Sequence, residues 1–325
     1  MNKQCWHLRI AMLCFFAIAG SSAGRADDYP SQPVKIIVQA APGNGPDALA
    51  RLIADRLALL WKQQVLIVNR PGGGGIVAAQ AAAGAQPDGY TLYMPSASTL
   101  LVLPVSHPEV HFDIGREFAS IGLIGQAPMV IAVAPSLGVN SLQELIALAK
   151  RRPGKIFYGA LGPGTLPHLT SQLFQRRAGV ELTYVPYSGT PEVVRDVMGG
   201  QLGVVFDGLG ALAGTLKSGA LKALAITSAT RLAYMPELPT ASETLPDFVW
   251  LSWYPLLAPA GTPHRIVEKV GTDLRSVLDQ GDLQERLRSF GTTLRPMSPA
   301  ETSDFIRGEQ ARWKPLVEET EIKPR

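Results

Sequence analysis

The sequence predicts an α/β fold with parallel-rich sheets flanked by helices, and it predicts more than one domain. Short runs of β-branched and apolar residues alternate with segments of helical periodicity along most of the chain. This alternation is typical of parallel sheets covered by helices. The segments between these runs are rich in glycine and proline, which mark turns. The 325 residues exceed the size at which a single hydrophobic core stops growing, so two domains are expected.

The strands are predicted from short apolar runs that are rich in valine, isoleucine and leucine. They occupy residues 34–38, 65–68, 90–94, 129–134, 156–158, 182–185, 204–206 and 224–226.

The helices are predicted from one-sided apolar periodicity and from the residues at their ends. In the first helix, Leu49, Ile53 and Leu57 fall on one face. Ser141 and Glu144 have the spacing of a capping box at the start of a later helix. The predicted helices cover residues 47–61, 76–83, 141–152, 169–177, 191–198 and 209–218, and two more begin at Thr262-Pro263 and Ser298-Pro299.

The first 26 residues have the pattern of a secretory signal peptide. Lys3 and Arg9 provide a basic start, residues 10–19 form an uncharged apolar core, and small residues precede a cleavage site after Ala26. The apolar core is shorter than the ~20 residues that a membrane span needs, which favours cleavage over a retained anchor. We expect a mature chain that begins near Asp27 and is located in the periplasm.

Removal of this segment changes the cysteine content and the charge. Both cysteines, Cys5 and Cys14, are lost, so the mature protein has no disulfide, cysteine nucleophile or Cys-ligated metal. Lys3, Arg9 and Arg25 account for the whole net charge of +3, so the remaining chain has equal numbers of basic and acidic residues. A balanced chain gives no electrostatic reason to expect nucleic acid or an anionic membrane as a partner.

Four glycine-rich loops lie where a predicted strand ends and a helix begins. Ligands bind at this edge of open α/β sheets, and helix N-termini offer free N–H groups to an anion. The alternative is that each loop only makes a tight turn. Recurrence of the pattern in consecutive units favours a shared cleft. The loops span residues 40–47, 69–75, 159–168 and 186–190.

The sequence lacks the motifs of common catalytic and nucleotide-binding sites. It contains no Gly-x-Ser-x-Gly, no His-Glu-x-x-His and no Gly-Lys-Ser/Thr ending to a glycine-rich loop. His107, His111, His168 and His264 are scattered without the spacing of metal ligands, and Asp207 is explained by helix capping as well as by function. We therefore expect a protein that is not an enzyme and that uses no metal or cofactor.

A series of short motifs resembles one family of binding proteins. In chain order, the motifs are Tyr29-Pro30-Ser31-Gln32-Pro33-Val34, the loop from Pro42-Gly43 to Asp47, Asn69-Arg70-Pro71-Gly72, Pro87-Asp88-Gly89-Tyr90-Thr91-Leu92, Val185-Pro186-Tyr187, Phe206-Asp207 and Leu257-Ala258-Pro259-Ala260-Gly261-Thr262-Pro263. Their number and order resemble the Bug family of extracytoplasmic solute receptors, which are the binding component of tripartite tricarboxylate transporters.

The resemblance implies a two-lobed periplasmic-binding-protein fold of the Venus-flytrap type. After a signal peptide at residues 1–26, lobe one would comprise residues 27–125 plus 250–325, and lobe two would comprise residues 126–249. The crossing segments would be residues 121–133 and 250–257. The aromatic cluster of Trp250, Trp253 and Tyr254 is interpreted as part of the core or the hinge. We expect a monomer that closes on its ligand by a hinge movement.

The resemblance also implies a ligand site between the lobes. Family members hold carboxylates through loop amides, hydroxyls and water rather than through an arginine clamp. Arg70, the one cation in the loops, also suits a structural role. Thr165 and Tyr187 are expected to donate hydroxyl hydrogen bonds to the ligand. Carried over by position, the contacts fall on Pro42, Gly43, Asn44, Asp47, Ser96, Thr99, Gly162, Thr165, His168, Tyr187, Gly189, Thr190 and Asp207.

Four positions depart from residues that are common in the family. Pro46, Ile76 and Leu103 replace polar side chains, and Gln172 replaces a glutamate. If Ile76 and Leu103 face the cleft, an unmatched polar group of the ligand costs roughly 1–3 kcal/mol there. We therefore expect a carboxylate with an apolar or aromatic body rather than a small hydroxylated tricarboxylate such as citrate.

The leading functional hypothesis is a periplasmic solute-binding protein. It would capture a small organic acid and deliver it to the membrane subunits of a tripartite tricarboxylate transporter. The alternative within the same fold is a sensor that signals to a membrane receptor. A periplasmic hydrolase is least favoured, because no nucleophile–base pair is evident in the sequence.

Overall fold

The computed structural model describes residues 29–106, 113–289 and 291–320. The predicted signal peptide with its cleavage site, His107 and His111 lie outside the described residues.

The strands are β1 (Val34–Val38), β2 (Val65–Asn69), β3 (Thr91–Met94), β4 (Phe118–Val133), β5 (Phe157–Leu161), β6 (Thr183–Tyr187), β7 (Val204–Gly208), β8 (Lys222–Ile226), β9 (Leu251–Pro259) and β10 (Thr293–Leu294). The helices are α1 (Gly45–Trp61), α2 (Ile76–Ala83), α3 (Ala97–Ser106), α4 (Ile114–Glu117), α5 (Leu142–Arg151), α6 (Leu166–Ala178), α7 (Thr190–Met198), α8 (Leu209–Lys217), α9 (His264–Leu278), α10 (Gly281–Ser289) and α11 (Pro299–Glu319).

The long strand β4 is the element that connects the two lobes. Its first part pairs antiparallel with β9, from Phe118 opposite Pro259 to Pro128 opposite Leu251. From Met129 onward it pairs antiparallel with β7 and β8 instead. One strand therefore belongs to two sheets, and its pairing partner changes between Pro128 and Met129.

Each lobe combines parallel outer strands with antiparallel central ones. In lobe one, β1 pairs parallel with β2 and β3, while β9 and β10 are antiparallel to their neighbours. In lobe two, β5 pairs parallel with β6 and β7. The predicted parallel character is therefore correct for the βα units. The antiparallel strands are those near the crossing, where the chain passes between sheets.

The two crossing segments are tied together at Thr227, which is fully buried. Its hydroxyl donates to the Trp250 carbonyl at 2.5 Å and accepts from the Met129 amide at 3.0 Å. Its backbone carbonyl accepts from the Trp250 amide, and its backbone amide donates to the Met129 carbonyl. Four hydrogen bonds at one residue thus link both strands that cross between the lobes.

A shared hydrophobic core continues across the back of the crossing. The ring centroids of Phe248 and Trp250 lie 3.9 Å apart, and Trp250 meets Trp313 of α11 edge-on at 5.8 Å. The indole nitrogen of Trp250 donates to the Thr170 hydroxyl of α6. The interpretation of the aromatic cluster as core and hinge agrees with these contacts for Trp250 and for Trp253, which is also fully buried.

The capping signals that mark the helix starts differ in outcome. Ser298 and Glu301 form a complete capping box at the start of α11. At α5, Ser141 accepts from the Glu144 amide as predicted, but the Glu144 carboxylate accepts from the amide of Asn140, one residue earlier than in a capping box. The first turn of α5 is therefore capped by a variant of the predicted pattern.

Candidate ligand-binding cleft

A cleft of about 370 Å³ lies between the two lobes. Its walls are the loops that follow β1, β2 and β3 in lobe one and β5, β6 and β7 in lobe two, which is the sheet edge that the glycine-rich loops predict. Side chains that line it include Gln39, Asn44, Pro46, Leu49, Ser96 and Ser98 from lobe one, Leu161, Thr165, Leu166, Tyr187, Thr190 and Asp207 from lobe two, and Ala127, Met129, Ser252, Tyr254 and Thr292 near the crossing.

Four helices begin at the cleft without a side-chain cap. The N-cap residues of α1, α6, α7 and α8 are Asn44, Thr165, Gly189 and Gly208, and none of them makes a side-chain capping bond. The first N–H groups of a helix have no partner within the helix, and they carry a partial positive charge. The cleft is therefore surrounded by uncapped helix starts that can donate to an anion.

A polar cluster centred on Gln39 forms the lobe-one wall. The side-chain oxygen Oε1 of Gln39 accepts from the Thr99 hydroxyl at 2.5 Å and from the Ser96 backbone amide at 3.1 Å. The side-chain nitrogen Nε2 of Gln39 donates to the Ser96 hydroxyl. Ser96 and Ser98 share a hydrogen bond of 2.8 Å between their hydroxyls. The polar groups of this wall therefore satisfy one another without a ligand.

Gly75 allows the loop before α2 to pack onto this cluster. Its φ of +108° is in the left-handed region, which favours glycine. A Cβ at this position would lie 2.2 Å from the Thr99 hydroxyl oxygen, which is far inside van der Waals contact. The close approach of the two loops therefore requires glycine at position 75.

Asp207 is the one formally charged side chain among the described residues that line the cleft. Its carboxylate accepts from the Thr190 hydroxyl at 2.6 Å and from the Gly208 amide at 2.7 Å. Burial raises the pKa of Asp207 to about 6, although these two hydrogen bonds act in the opposite direction. The helix-capping alternative does not describe this geometry, because the carboxylate links the starts of α7 and α8.

Thr165 and Tyr187 line the cleft, but their hydroxyl groups donate to protein acceptors. The Thr165 hydroxyl lies 2.8 Å from the Gly162 carbonyl and 3.2 Å from that of Leu161. The Tyr187 hydroxyl donates to Asp196 of α7 at 2.6 Å. In this conformation neither proton is directed at the cleft, so the expected hydroxyl bonds to a ligand stay a prediction.

Asp47 is beneath the first loop rather than in the cleft. Its buried carboxylate accepts from the Gly43 amide at 2.9 Å, from Asn69 at 2.8 Å and from Arg51 in a two-pronged contact. Burial alone would raise the pKa of Asp47, but the hydrogen bonds from Arg51, Asn69 and Gly43 outweigh it and lower the pKa. This residue holds the loop in shape.

His168 is also buried behind the lining. Its ring packs on Tyr184 with centroids 4.7 Å apart, and Nε2 lies 3.3 Å from the amide nitrogen of Gln172. Burial lowers the pKa of His168 to about 4, so the ring is neutral at physiological pH. Tyr184 in turn donates to the Leu161 carbonyl at 2.9 Å, which connects His168 to the cleft wall through packing.

The remaining predicted contacts lie at the rim or below the surface. Pro42 and Gly43 are exposed, and Thr99 is fully buried in the polar cluster. A Cβ placed on Gly189 would lie 3.9 Å from the Asn44 side chain, so the two lobes approach each other there. Of the thirteen residues carried over from the family, the lining includes Asn44, Ser96, Gly162, Thr165, Tyr187, Thr190 and Asp207, and it does not include Pro42, Gly43, Asp47, Thr99, His168 or Gly189.

The residues that depart from the family pattern do not all reach the cleft. Leu103 is buried in the hydrophobic core, and Ile76 packs against that core. Gln172 lies beside His168, away from the cleft. Only Pro46 contributes to the lining. Ile76 and Leu103 therefore give no reason to expect an apolar ligand body, because both side chains pack in or against the core.

Sequence reasoning missed several lining residues, among them Gln39, Met129 and Tyr254. Gln39 directly follows the last residue of β1, which is the position where α/β sheets place ligand contacts. That signal was available in the sequence. Tyr254 was hidden in an aromatic run, and only the pairing of β9 with β4 reveals that it faces the cleft.

No three or more His, Cys, Asp or Glu side chains in the described parts of the chain are arranged to hold a metal ion. None of the described helices is long and apolar enough to span a membrane.

Comparison with known proteins decides the family. A family model described as the tripartite tricarboxylate transporter family receptor matches residues 49–322. The chain belongs to this family. Protein BugT of Bordetella pertussis strain Tohama I is 34% identical over 312 residues, which cover 95% of this chain and 96% of BugT.

Solved structures agree with the two-lobed fold. The structure of R. palustris Rpa4515 with adipate superposes with a TM-score of 0.87 at 32% identity, covering 91% of this chain and 100% of that one. MatC from Rhodopseudomonas palustris with bound malate has a TM-score of 0.82 at 29% identity, covering 89% and 100%. The Bug-family resemblance and the two-lobed α/β fold are thereby confirmed, and the protein is a solute-binding protein rather than an enzyme.

Proposed function

We propose that this protein binds a small organic carboxylate in the cleft and delivers it to the membrane subunits of a tripartite tricarboxylate transporter. The observation that carries the proposal is the convergence of four uncapped helix N-termini on one cleft between two lobes. Adipate and malate, the ligands of the two matched structures, are both carboxylates. Family membership supports the transporter as the destination.

The carboxylate is held by backbone N–H groups and neutral side chains. The described lining residues include no lysine or arginine, so a guanidinium or ammonium clamp is not part of this wall. Uncapped N–H groups at a helix start bind anions through hydrogen bonds and the helix dipole together. Asn44 and Ser98 add side-chain donors on the lobe-one side.

The ligand carries an apolar portion beside its carboxylate. Support comes from the lining itself, in which Leu49, Met129, Leu161, Leu166 and Tyr254 surround the polar groups. Burial of apolar ligand surface against such walls contributes about 25 cal/mol per Å². The volume of about 370 Å³ is at the small end of typical ligand pockets, which favours a compact acid.

Ligand binding closes the lobes about the two crossings. We assign the lobe boundaries between Pro128 and Met129 and between Trp250 and Leu251, where β4 changes partner and β9 begins. These boundaries are a few residues from those expected from the sequence. Closure is expected to lower the radius of gyration in small-angle scattering, and an unchanged radius with saturating ligand would count against a hinge.

Export to the periplasm with cleavage near Ala26 completes the proposal. It rests on the basic start and short apolar core of the first 26 residues and on the family to which the chain belongs. N-terminal sequencing of the exported protein should begin near Asp27.

A ligand panel tests the proposed function directly. Native mass spectrometry of protein purified without denaturation should reveal a co-purifying acid. Thermal-shift assays with adipate, malate, citrate and benzoate should then show stabilisation by acids with an apolar body, since a ligand that binds the native state raises the melting temperature. Stabilisation by citrate but not by adipate or benzoate would reject the apolar portion. Failure of every carboxylate, together with binding of a neutral or cationic solute, would reject the carboxylate class.

A further inference from the structure

The even charge balance of the mature chain conceals an uneven distribution. Strands β5, β6, β7 and β8 run in one direction, since β7 and β8 are both antiparallel to β4 and β5 is parallel to β6 and β7. Their first residues therefore share the end of lobe two that is opposite the cleft. We call this end the base of lobe two and define it as residues 134–141, 150–157, 176–183, 198–203 and 217–222.

Hydrogen bonds join the segments of the base into one surface. The Gly154 amide donates to the Glu181 carbonyl at 3.0 Å, and the Gly203 amide donates to the Phe157 carbonyl at 2.8 Å. The Ala134 amide donates to the Gly203 carbonyl at 3.1 Å. Lys222 donates to the Asn140 side chain, which connects the last segment to the others. The segments of the base thus form one continuous surface.

The end of α5 brings four exposed cations to the base. Lys150 and Arg151 are the last residues of the helix, Arg152 follows directly, and Lys155 precedes β5. All four side chains are exposed.

The neighbouring helix ends add four more exposed cations. Arg176 and Arg177 lie in the last turn of α6, and Lys217 and Lys222 flank the turn between α8 and β8. Lys150 and Arg176 border the same open groove of about 480 Å³.

Few carboxylates oppose these eight cations. Glu319 lies 3.9 Å from Arg176 and 3.8 Å from Arg177, so one carboxylate faces two guanidinium groups. Glu181 borders the groove, and Glu144 accepts from the Asn140 amide at the edge of the base. The base therefore retains a strong positive charge in a chain whose mature charge is balanced.

Two large apolar side chains are exposed at the same end. Phe157, the first residue of β5, is 44% exposed, and Met198, the last residue of α7, is 55% exposed. Phe157 shares a face of β5 with Gly159, which packs against Val193 of α7. Because α7 runs back from the cleft edge, its last turn lies on the same side of the base as Phe157.

We propose that the base of lobe two docks on an anionic phospholipid surface. Clustered lysine and arginine side chains attract anionic headgroups, and exposed aromatic and apolar side chains between them insert at the boundary with the acyl chains. The cations come from the ends of α5, α6 and α8 and from the starts of β5 and β8, all of which lie at the base, and this spread suits a broad charged surface. Docking by the base leaves the cleft directed away from the lipid and open to solute, and it does not depend on which acid the cleft binds.

Vesicle binding tests this proposal. The exported protein should co-sediment with phosphatidylglycerol–phosphatidylcholine vesicles at low ionic strength and not with phosphatidylcholine vesicles. Binding should be lost at high salt, because screening removes the attraction. Replacement of Arg151, Arg152 and Lys155 by glutamine should lower the partition coefficient on the order of 100-fold, since each cation near the surface contributes about 1 kcal/mol.

A matched variant separates the base from overall charge. Replacement of Lys35, Arg265 and Arg286 by glutamine removes the same charge from exposed positions in lobe one. Because charges farther from the lipid than a Debye length are screened, this variant should change the partition coefficient by less than about threefold. All proteins share one N-terminus, so any contribution from residues 1–26 is common to them. Circular dichroism confirms that each variant is folded.

Three results would overturn the proposal. These are the absence of binding to anionic vesicles at low salt, equal losses in the two triple variants, and binding that high salt leaves unchanged. If vesicles do not bind but an acidic polypeptide such as polyaspartate does, and the base variant loses that binding, the base is a docking site for an acidic protein instead.

Discussion

Two aspartates, one beside each wall of the cleft, have opposite electrostatic surroundings. Asp47 in the first turn of α1 faces Arg51, Asn69 and the Gly43 amide, and these partners lower its pKa. Asp207 at the end of β7 is buried with only a hydroxyl and one amide, and burial raises its pKa to about 6. The first carboxylate is satisfied by a cation, and the second is not.

The difference separates a carboxylate with a structural role from one that faces the space for the ligand. Asp47 is ionised at every physiological pH, and its role is to hold the loop that forms the lobe-one wall. Burial raises the pKa of Asp207 to about 6, and because this carboxylate lines the cleft, an anionic ligand beside it would raise the pKa further. A solute-binding protein thus uses the same side chain as a fixed anchor in one lobe and as a variable group in the other.

Asp47→Ala should have the largest effect on stability. It leaves the side-chain amide of Asn69 and the backbone amide of Gly43 without their shared acceptor, whereas the half-exposed Arg51 can turn to water. The free energy of unfolding should therefore fall by about 3 kcal/mol at neutral pH. Urea denaturation measures this loss. Asp55→Ala, at an exposed position on the same helix, is the control and should cost less than about 0.5 kcal/mol. Equal effects of the two changes would mean that the Asp47 contacts contribute little.

Asp207→Asn should stabilise the unliganded protein, and by more at higher pH. The native state retains the Asp207 proton up to about pH 6, while the unfolded chain loses it near the ordinary value of 3.8. The Asp207 carboxyl group therefore takes stability away from the wild type as the pH rises through this window, and the asparagine variant lacks this contribution. The difference should be near zero at about pH 4 and reach about 2–3 kcal/mol at about pH 8. Melting temperatures across this range check it, and a difference that is constant with pH would contradict the ionisation of Asp207.

Thr190→Val should move the pH dependence that Asp207 causes. The lost hydroxyl bond stabilises the ionised carboxylate, so its removal should raise the pH midpoint of the stability change by about one pH unit. Thr215→Val, which removes a hydroxyl bonded to the Leu212 carbonyl on α8, is the matched control and should leave the midpoint in place. An equal shift of the midpoint in both variants would mean that the Thr190 hydroxyl has no specific effect on the pKa of Asp207.

Tyr187→Phe should have the smallest effect. Its hydroxyl donates to Asp196, whose pKa is lowered mainly by this bond, so the ring remains in the cleft wall when the hydroxyl is removed. The dissociation constant of the acid identified in the thermal-shift panel, measured by isothermal titration calorimetry, should change by less than about threefold, corresponding to under 1 kcal/mol. A loss of affinity of tenfold or more would mean that the Tyr187 hydroxyl contacts the ligand.

The regular βα units were predictable from the sequence because each carries its own local signal. The limits of β1 and α2 match the predicted ones, and α1, α6 and α7 begin within a few residues of theirs. The first part of β4 was missed. Leu123 and Ile124 are both buried there, so the strand shows no alternation, and glycines interrupt it. Helix α3 was missed for a related reason, since Leu100 to Leu103 are buried on every side.

The location of the cleft was predictable from the sequence, but the side chains that face it were not. Glycine-rich loops at strand ends indicate the edge where a ligand binds, and the cleft lies there. Which of two neighbouring residues faces inward depends on packing between elements far apart in the chain. Ile76 and Leu103 turn toward the core, while Tyr254 turns toward the cleft because β9 pairs with β4. Local sequence contains no information on this choice.

The fourfold hydrogen bonding of Thr227 lies outside the lining of the cleft. Both interlobe strands are hydrogen-bonded to this one buried residue, so the closure proposed above would turn about the backbone beside Thr227. Substitutions in the walls can then change which solute is recognised while the trajectory of closure is retained. Met129 is the one residue that both lines the cleft and bonds to Thr227, so most changes of the lining would leave the proposed hinge intact and allow one mechanism to serve chemically different cargoes.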